Sequence, residues 1–544
     1  MMSEKIQKMF DGLRLDPSEL AVLETQDAAS DYVYAANSPF PALSRYRKYI
    51  QFLDGLTSLK ALYRYRLEVV IEYFIALAET MANYSGSFSK DKIIPVALTE
   101  EAKAKLRAIP RNLSHQQMKQ IELIEARSDH DTAAITDWLK FAIDQSDLLG
   151  LAQTSSAEER KALENCLDGV HFGRTSEDVN SPVFAMINRD LFFGHVLPEI
   201  AALQHALLDF ARRNDRVCAA LTHGQPAEPT TMGKQIANTV AAIDAILRKV
   251  FLPYDEAGKQ TTVSFPVKTF GAVGNHSDLR AAYPDIDWCE NDRRFVRALG
   301  PGLHLDLMTT QAGLYGEYKY VYDAVCTISR HILKLSQDFW GWTSFQWLKK
   351  RKKEGVKGSS VMPNKYNPWR IEGAVKILEK FIAQLECSAK ALMDYPYEGD
   401  MGRSIVMRDI GDDFAKFFIA AGRIREELAL YELNDERIDQ FLQMNPGLTG
   451  GAAQTMLKRA RAEGDAYRQI QQIMINPDGT YCSQQEFVER ISSHRQIRAE
   501  LKQEILQRAD PKNNTGYADE LAQAAFARAE ETLQRFTELG YLRK

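Results

Sequence analysis

The residues whose types and spacing most clearly indicate chemistry lie in the segment Gly358–Pro368, which reads Gly-Ser-Ser-Val-Met-Pro-Asn-Lys-Tyr-Asn-Pro. Glycine adopts backbone conformations closed to other residues, and each proline fixes φ and removes a backbone donor. The segment is therefore predicted to be a shaped loop. Lys365 offers a positive charge and Asn367 an amide, which suits an anionic substrate. A serine held near a fixed cation, such as Ser359, is a candidate base.

A second constellation reads Thr222-His223-Gly224-Gln225-Pro226-Ala227. A lone histidine is more often structural. This one stands between a hydroxyl residue and a Gly-Gln-Pro turn, so it is predicted to sit in a constrained polar loop. An imidazole titrates near neutral pH, which suits proton transfer. His223 is therefore a candidate catalytic group.

Three further segments carry polar side chains that suit a ligand. In His171–Asn180, Thr175 or Ser176 is predicted to cap a helix whose first turn is acidic, and such a helix start also binds anions. His130 precedes Asp131, and the two are predicted to form an orienting pair, with an ordinary surface pair as the alternative. The remaining candidates are a glycine-shaped loop from Lys268 to Asn275, and Gln311, which follows two threonines.

Composition limits the class of protein. The 544 residues are 45% hydrophobic and 26% charged, which is typical of a globular chain long enough for several domains. A net charge of -5 gives no general attraction to nucleic acid. The six cysteines form no Cys-x-x-Cys pair, which argues against a zinc site or a disulfide framework and favours a reducing, cytoplasmic setting. We expect no signal peptide and no membrane-spanning run.

Helical periodicity dominates the chain. Apolar residues recur at helical spacing in Leu62–Leu77 and again in Ile410–Leu428, and alternating strand patterns are scarce. We predict an all-α protein with a central bundle of long helices. Soft boundaries suggest three helical domains: residues 1–130, a central bundle over 131–393 that carries the signature loop, and residues 394–544.

The loop Gly358–Pro368 resembles the signature Gly-Ser-Ser-x-Met-Pro-x-Lys-x-Asn-Pro of the fumarase/aspartase superfamily. Thr-His-Gly-Gln-Pro-Ala, Thr-Ser-Glu-Asp-x-Asn, the His-Asp pair and Gly-Ala-Val-Gly-Asn narrow the resemblance to the adenylosuccinate lyase family in its enterobacterial form. The segment Ala281–Trp288 also matches that form. The resemblance covers about residues 38 to 470, and the first three dozen residues and much of the C-terminal unit look like additions.

The resemblance implies a three-domain fold of the fumarase/aspartase type and anti β-elimination of fumarate from succinylated purine nucleotides. It implies no metal and no redox cofactor. It also implies a homotetramer whose active sites combine loops from three subunits, with no nucleic-acid or membrane partner. Ser359 would be the base and His223 the acid. The residues implied to bind substrate are Arg45, Tyr46, His130, Asp131, Thr175, Ser176, Thr222, Gln225, Lys268, Asn275, Gln311, Ser360, Lys365, Asn367, Arg403, Ser404 and Arg408.

The match departs from the family pattern at the nucleotide end. Where the family has Arg-Asp-Leu-x-Asp-Ser, this chain places Gly399 at the expected arginine and Arg403 at the last aspartate. The family's asparagine soon after the signature loop is Gly373 here, and the Asp-Gly that usually precedes the Arg45-Tyr46 pair is missing. A displaced arginine would restore the phosphate contact; the alternative is a different specificity.

Two other functions are weighed against this one. The first is a lyase that releases fumarate from a different amine-bearing substrate, which the changes at Gly399 and Gly373 would allow. The second is a lyase-fold module without catalysis, although such a module would not need both an acid and a base. The basic run from Lys349 to Lys353 is expected to be a solvated face near the signature loop, and nucleic-acid binding is the less favoured explanation.

Overall fold

The structure is a computed structural model that describes residues 45–145, 166–254, 257–351, 361–363 and 365–542. The two loop serines, Ser359 and Ser360, lie outside the described residues. Every other predicted site residue lies within them.

Helices form most of the described chain, as predicted. In order they are α1 Arg47–Ile50, α2 Asp54–Thr57, α3 Leu59–Asn83, α4 Glu100–Arg111, α5 His115–Ser128, α6 Asp131–Gln145, α7 Glu177–Leu191, α8 Leu197–Arg213, α9 Met232–Ile246, α10 Ser277–Ala282, α11 Trp288–Ala298, α12 Gly316–Ser344, α13 Trp369–Ala391, α14 Gly402–Arg408, α15 Ile410–Leu428, α16 Asp435–Gln443, α17 Gly450–Arg459, α18 Ala466–Met474, α19 Gln484–Ser493, α20 Ala499–Gln507 and α21 Ala518–Glu538. The predicted stripes at 62–77 and 410–428 fall within α3 and α15.

Strands are short and occur in pairs. An antiparallel hairpin joins β1 Val217–Thr222 to β2 Gln225–Thr231, with an irregularity in register between Ala220 and Leu221. Strand β3 Phe265–Val267 pairs in parallel with β4 Leu303–Leu305. Strand β5 Leu348–Lys350 pairs antiparallel with β6 Tyr431–Leu433, so the chain just before the signature loop is held beside the end of α15.

A bundle of long helices forms the centre of the molecule. Helix α13 packs between α12 and α15, while α8 and α9 pack on each other and against α15 and α12 respectively. Buried aromatic rings fill the bundle, with Phe414 in edge contact with Phe192, Tyr322 and Phe381. Burial of such large apolar side chains is the dominant contribution to stability.

A π-helical turn at Phe192–Val196 joins α7 to α8, so residues Glu177 to Arg213 form one continuous helical run. By length and composition alone this run is apolar enough to cross a membrane, contrary to the sequence-based expectation. Most of its apolar window is buried inside the fold, which is typical of the core helix of a globular protein.

Beyond the bundle, the C-terminal region has a smaller core of its own. Its buried side chains come from α17 to α20 and include Leu457, Phe487, Ile491 and Ile505. The last helix, α21, returns to pack on α9 of the bundle. At the other end, α6 packs on α5 and α3. The predicted domain boundaries after residues 130 and 393 remain predictions. All six cysteines are free thiols, as the lack of a disulfide framework predicted.

Candidate active site

Several of the sequence-predicted residues lie at the start of α7. The helix begins at Glu177, with Asp178 also in its first turn. Of the two predicted capping residues, Thr175 and Ser176, it is Ser176 that stands at the N-cap position, but it makes no capping hydrogen bond. Instead Asp178 Oδ2 accepts hydrogen bonds from the Thr175 backbone N–H at 2.8 Å and from its hydroxyl at 3.2 Å. The helix start is thereby fixed by its own acidic residue, and the Ser176 hydroxyl is left available to other groups.

His130 and Asp131 do not form the predicted orienting pair. The nearest ring nitrogen of His130 lies 3.9 Å from Asp131 Oδ1, too far for a hydrogen bond. The other ring nitrogen, Nε2, lies 3.3 Å from the hydroxyl of Ser176. Neighbouring residues at a helix start point their side chains in different directions, so each contacts its own partner. His130 therefore faces the start of α7.

Asp131 bridges two arginines that come from distant parts of the chain. Its Oδ2 accepts from Arg66 at 2.7 Å and from Arg408 at 2.6 Å. Arg66 also donates to Asn180 Oδ1 at 3.0 Å. Burial alone would raise the pKa of the Asp131 carboxyl, but the two guanidinium groups hold it below its ordinary value. This carboxylate joins helices α3, α6 and α14, and Arg66 extends the connection to α7.

Arg66 is a member of this cluster that the sequence analysis missed. Its side chain is fully buried, and two of its guanidinium nitrogens have no hydrogen-bond partner within the described structure. The available signal was its position: an arginine within the otherwise apolar stripe of α3. A buried cation at such a position needs an anionic partner.

Lys268 and Asn275 hold the glycine loop that lies against the start of α7. Lys268 is fully buried and donates to Asp178 Oδ1 at 2.6 Å and to the Gly271 carbonyl at 2.5 Å. Asn275 Oδ1 accepts from the Ser277 backbone N–H at 3.1 Å, at the beginning of α10. In the single chain Lys268 therefore orients the loop, and its side chain is fully buried. Its contact with substrate remains a prediction.

A buried ion pair supports the same loop from behind. Arg174 donates to both carboxylate oxygens of Asp292, and both side chains are almost completely buried. The Thr269 hydroxyl donates to the same carboxylate at 2.5 Å. Burial alone would raise the pKa of Asp292, but the Arg174 guanidinium and the His276 ring hold it at about 2. The chain before α7 and the loop after β3 are thus held to α11.

Gln311 and Arg403 meet beside Gly399. A Cβ atom built on Gly399 would lie 3.0 Å from Gln311 Oε1 and would overlap the guanidinium of Arg403. That guanidinium lies over the Tyr395 ring, 3.8 Å from its centroid. Arg403 is only 1% exposed, and its Nε and Nη1 have no partner within the described residues. A buried guanidinium that has no carboxylate bonded to it among the described residues is a candidate site for an anion.

The surroundings of Arg403 extend to the first turn of α7. The Tyr315 hydroxyl donates to Glu177 Oε1 at 3.0 Å, and the Arg403 guanidinium lies 5.9 Å from the centroid of the same tyrosine ring. Burial raises the pKa of Glu177, while Tyr315 and the nearby cations partly offset that rise. Next to Arg403 the hydroxyl of Ser404 is buried and has no hydrogen-bond partner among the residues that the structure describes. Around Arg403, the enclosed carboxyl of Glu177 therefore lies near donors of Arg403 and Ser404 that have no partner among the described residues.

The histidine hairpin lies elsewhere. His223 and Gly224 form the tip between β1 and β2, with φ of 54° and 73°, the left-handed region that two-residue hairpin turns require. Thr222, His223 and Gln225 are all exposed. In the described part of the chain, no hydrogen bond or ion pair joins them to the cluster at the start of α7.

The end of the signature loop defines a third location. Lys365 is exposed and Asn367 is half-buried just before α13. Tyr46 is close to that helix start, since its hydroxyl accepts from Arg423 at 2.9 Å and Arg423 in turn donates to the Trp369 carbonyl at 3.0 Å. Arg45 is exposed beside Tyr46.

The cluster at the start of α7 and the end of the signature loop lie near opposite ends of the same long helix, α15. Arg423 is near one end of α15, and Arg408 of the cluster lies just before its other end. A rise of 1.5 Å per residue separates those ends by roughly 20 Å. Within the described residues, one chain thus presents the His223 hairpin, the end of the signature loop and the cluster at the start of α7 at separate places.

Comparison with known proteins shows the family of this chain. Residues 51–381 match a family model described as Lyase, and the chain belongs to that family. It is 28% identical to the adenylosuccinate lyase of Legionella pneumophila (strain Corby) over 496 residues, covering 90% of this chain and 99% of the relative. The adenylosuccinate lyase of Escherichia coli (strain K12) is 26% identical over 463 residues, covering 85% of this chain and 94% of the relative.

Solved structures share the fold. A fumarate lyase from Mesorhizobium sp. BNC1 superposes with a TM-score of 0.61 at 17% identity, covering 88% of this chain and 98% of that one. A 3-carboxy-cis,cis-muconate lactonizing enzyme from Pseudomonas putida gives a TM-score of 0.60 at 17% identity, covering 90% of this chain and 100% of that one. These likenesses confirm the predicted helical-bundle fold.

The length of the matches corrects one expectation. An alignment of 496 residues that covers 90% of this chain is longer than the expected span of about residues 38 to 470. The segments expected to be additions are therefore in part shared with the relatives.

Proposed function

We propose that the protein is an adenylosuccinate lyase. It is a carbon–nitrogen lyase that cleaves adenylosuccinate to AMP and fumarate, and it cleaves the succinyl-aminoimidazole-carboxamide ribotide of purine synthesis in the same way. The observation that carries this proposal is the similarity to adenylosuccinate lyases over nine-tenths of the chain. The lyase family match and the helical-bundle fold are consistent with it.

The reaction is an anti β-elimination. Ser359 takes the proton from the succinyl Cβ, the electron pair forms the new C=C bond, and the C–N bond breaks. His223 gives a proton to the departing nitrogen, so the products are fumarate and the free amine. Charge that develops on the adjacent carboxylate is received by Lys365 and Asn367, together with Ser360 and the Met362 backbone. The residues alone supply the acid, the base and the charge stabilisation.

The cluster at the start of α7 receives the rest of the substrate. Thr175 and Ser176 contact the succinyl end, and His130 supports Ser176 from 3.3 Å. Gln311 contacts the substrate beside Arg403. Within the described residues, two guanidinium nitrogens of Arg403 and the neighbouring Ser404 hydroxyl are buried and have no hydrogen-bond partner. These donors support an anionic group at this point.

The nucleotide phosphate is bound by Arg403, with Arg45 and Tyr46 as the second candidate pair. The side chain absent at Gly399 leaves the space that the Arg403 guanidinium occupies. This supports a displaced arginine and favours adenylosuccinate over the alternative, a fumarate-releasing lyase with another amine-bearing substrate.

The working form is a homotetramer of the cytoplasm, with active sites that combine several subunits. Support comes from the separation of the exposed His223 hairpin from the α7 cluster within one chain. Large exposed apolar side chains on α12 and at the start of α13, among them Tyr320, Trp340 and Trp369, are consistent with further packing between copies.

The deciding assay measures fumarate release from adenylosuccinate, run beside argininosuccinate, aspartate and malate. We expect turnover of adenylosuccinate alone. If well-folded protein released fumarate only from another member of this panel, the alternative lyase would be correct. If it released none from any of them, the lyase function itself would be wrong.

A further inference from the structure

One turn of α15 contacts the chain on both sides of the signature loop. Glu427, fully buried, accepts from Lys350 Nζ at 2.5 Å and from Arg370 Nη1 at 3.2 Å. Lys350 ends the strand before the loop, and Arg370 lies in the first turn of the helix after it. A single carboxylate therefore ties together two chain segments that flank the loop.

Arg423 lies one turn earlier on α15, and its side chain holds the same region by donating to backbone carbonyls. It donates to the Trp369 carbonyl at 3.0 Å and to the Arg370 carbonyl at 3.3 Å. Its third contact is the Tyr46 hydroxyl at 2.9 Å. Arg423 is 4% exposed, so these bonds lie in an environment where charge-assisted hydrogen bonds are strong.

Gly373 makes room for this guanidinium. A Cβ atom at residue 373 would lie 2.9 Å from Arg423 Cζ and would overlap Nη2. The absence of a side chain at 373 is thus matched to the presence of Arg423, just as the absence at 399 is matched to Arg403. The departure of position 373 from the family pattern has a structural counterpart on α15.

The cations that surround Glu427 depend on its negative charge to stay close together. Lys350, Arg370 and Arg423 bring three cations to one end of α15, and Glu427 is the buried anion that contacts two of them. Glu426 also approaches Arg370, at 3.3 Å, but is partly exposed. Without the charge of Glu427 the cations repel one another in a poorly solvated place.

We infer that Glu427 and Arg423 are positioning residues for catalysis: they fix the two flanks of the signature loop, and thereby Lys365 and Asn367, relative to Tyr46. This inference rests on the proposed lyase function for its kinetic part only. A small displacement of catalytic groups by a distant change lowers kcat by as much as about a hundredfold. Neither residue touches the reacting atoms.

The first test is Glu427→Gln, which keeps the shape and removes the charge. We expect kcat with adenylosuccinate to fall roughly tenfold to a hundredfold while KM changes less than about threefold. The matched control is Glu199→Gln, which removes a carboxylate that Arg425 of the same helix contacts at 2.9 Å and 3.0 Å, away from the loop. Equal kcat values in the two variants would overturn the inference.

The second test is Gly373→Ala, which displaces the Arg423 guanidinium without touching a charge. Its control is Gly341→Ala, a helical glycine of α12 with open space around its Cβ position. We expect Gly373→Ala to lower kcat at least fivefold, about 1 kcal/mol in activation free energy, and the control to leave it unchanged. No difference between them would contradict the role of Arg423.

A third measurement does not depend on activity. Hydrogen exchange of the amides over residues 365–372 should become at least tenfold faster in Glu427→Gln than in the wild type, with α9 as the internal reference. Unchanged exchange there would overturn the inference even in an active enzyme. A wild type that fails to cleave adenylosuccinate would instead refute the proposed function and leave this measurement valid.

Discussion

Arg403 places its guanidinium in the space that a side chain at Gly399 would occupy. The glycine has φ of 146°, a backbone conformation that favours glycine, and Gln311 Oε1 forms the other wall of the space. The two positions therefore act as one unit, in which the missing side chain at 399 is a condition for the arginine at 403.

Removing the Arg403 guanidinium should weaken substrate binding. We expect Arg403→Ala to raise KM for adenylosuccinate by about 10- to 100-fold, because hydrogen bonds to charged groups contribute roughly 1.5 to 3 kcal/mol. Gly399→Ala should have a similar effect by displacing the same group. The control is Gly479→Ala, another glycine with positive φ but with open space around it. A normal KM in Arg403→Ala would exclude Arg403 from the site.

Mixing two inactive variants tests whether the active site is shared. His223→Ala and Ser359→Ala should each lower kcat by at least about a thousandfold, since each removes a proton-transfer group. If the two residues come from different subunits, reassembled equimolar mixtures should recover about a quarter of wild-type activity. Circular dichroism checks that each variant folds. Recovery no greater than the sum of the two variants would place both residues in one chain.

Asp131 should be essential for stability as well as for the site. Asp131→Asn leaves the buried Arg66 without a counter-charge, and breaking a buried pair in this way costs about 3 to 5 kcal/mol. Asp137→Asn on the same helix is the control, because its contact with Lys140 is exposed and 3.7 Å long. Urea unfolding followed by fluorescence measures both. A loss below about 1 kcal/mol for Asp131→Asn would show that Arg66 does not depend on it.

Asp413 predicts a pH dependence of stability. Burial raises its pKa to about 6, although the Ser388 hydroxyl donates to it at 2.8 Å. The folded state therefore binds this proton more tightly than the unfolded chain, and stability decreases as pH rises from about 4 through about 6. Asp413→Asn should stabilise the protein by about 1 to 3 kcal/mol at pH 8 and have little effect at pH 4.

Thermal unfolding at the two pH values measures this effect. Asp412→Asn, its exposed neighbour on α15, is the control and should show no comparable gain at pH 8. Equal shifts of Tm at both pH values in Asp413→Asn would contradict a raised pKa.

The sequence predicts what depends on local spacing. The stripes of α3 and α15 were found because helical periodicity reflects burial on one face. Thr175 and Ser176 were found because their motif is contiguous. Arg66 was missed because its partner Asp131 lies 65 residues away in the chain. Glu427 was missed for the same reason, with Lys350 77 residues away.

Two residues that are adjacent in the sequence also led to a wrong expectation. His130 and Asp131 stand side by side, but successive positions at a helix start face different directions, so the pair separates to Ser176 on one side and two arginines on the other. The sequence offered Arg403 as a displaced partner for Gly399, but it offered none for Gly373, since an absent side chain carries no pattern of its own. Only the fold shows which distant group uses the space.

The match between each glycine and its arginine has an evolutionary consequence. The guanidinium groups of Arg403 and Arg423 fit only where residues 399 and 373 carry no side chain, and a side chain at either glycine would displace its arginine. We therefore expect that neither member of the pair at 399 and 403, or of the pair at 373 and 423, changes alone without loss of fitness. Among related sequences we expect positions 399 and 403 to change together, and likewise positions 373 and 423.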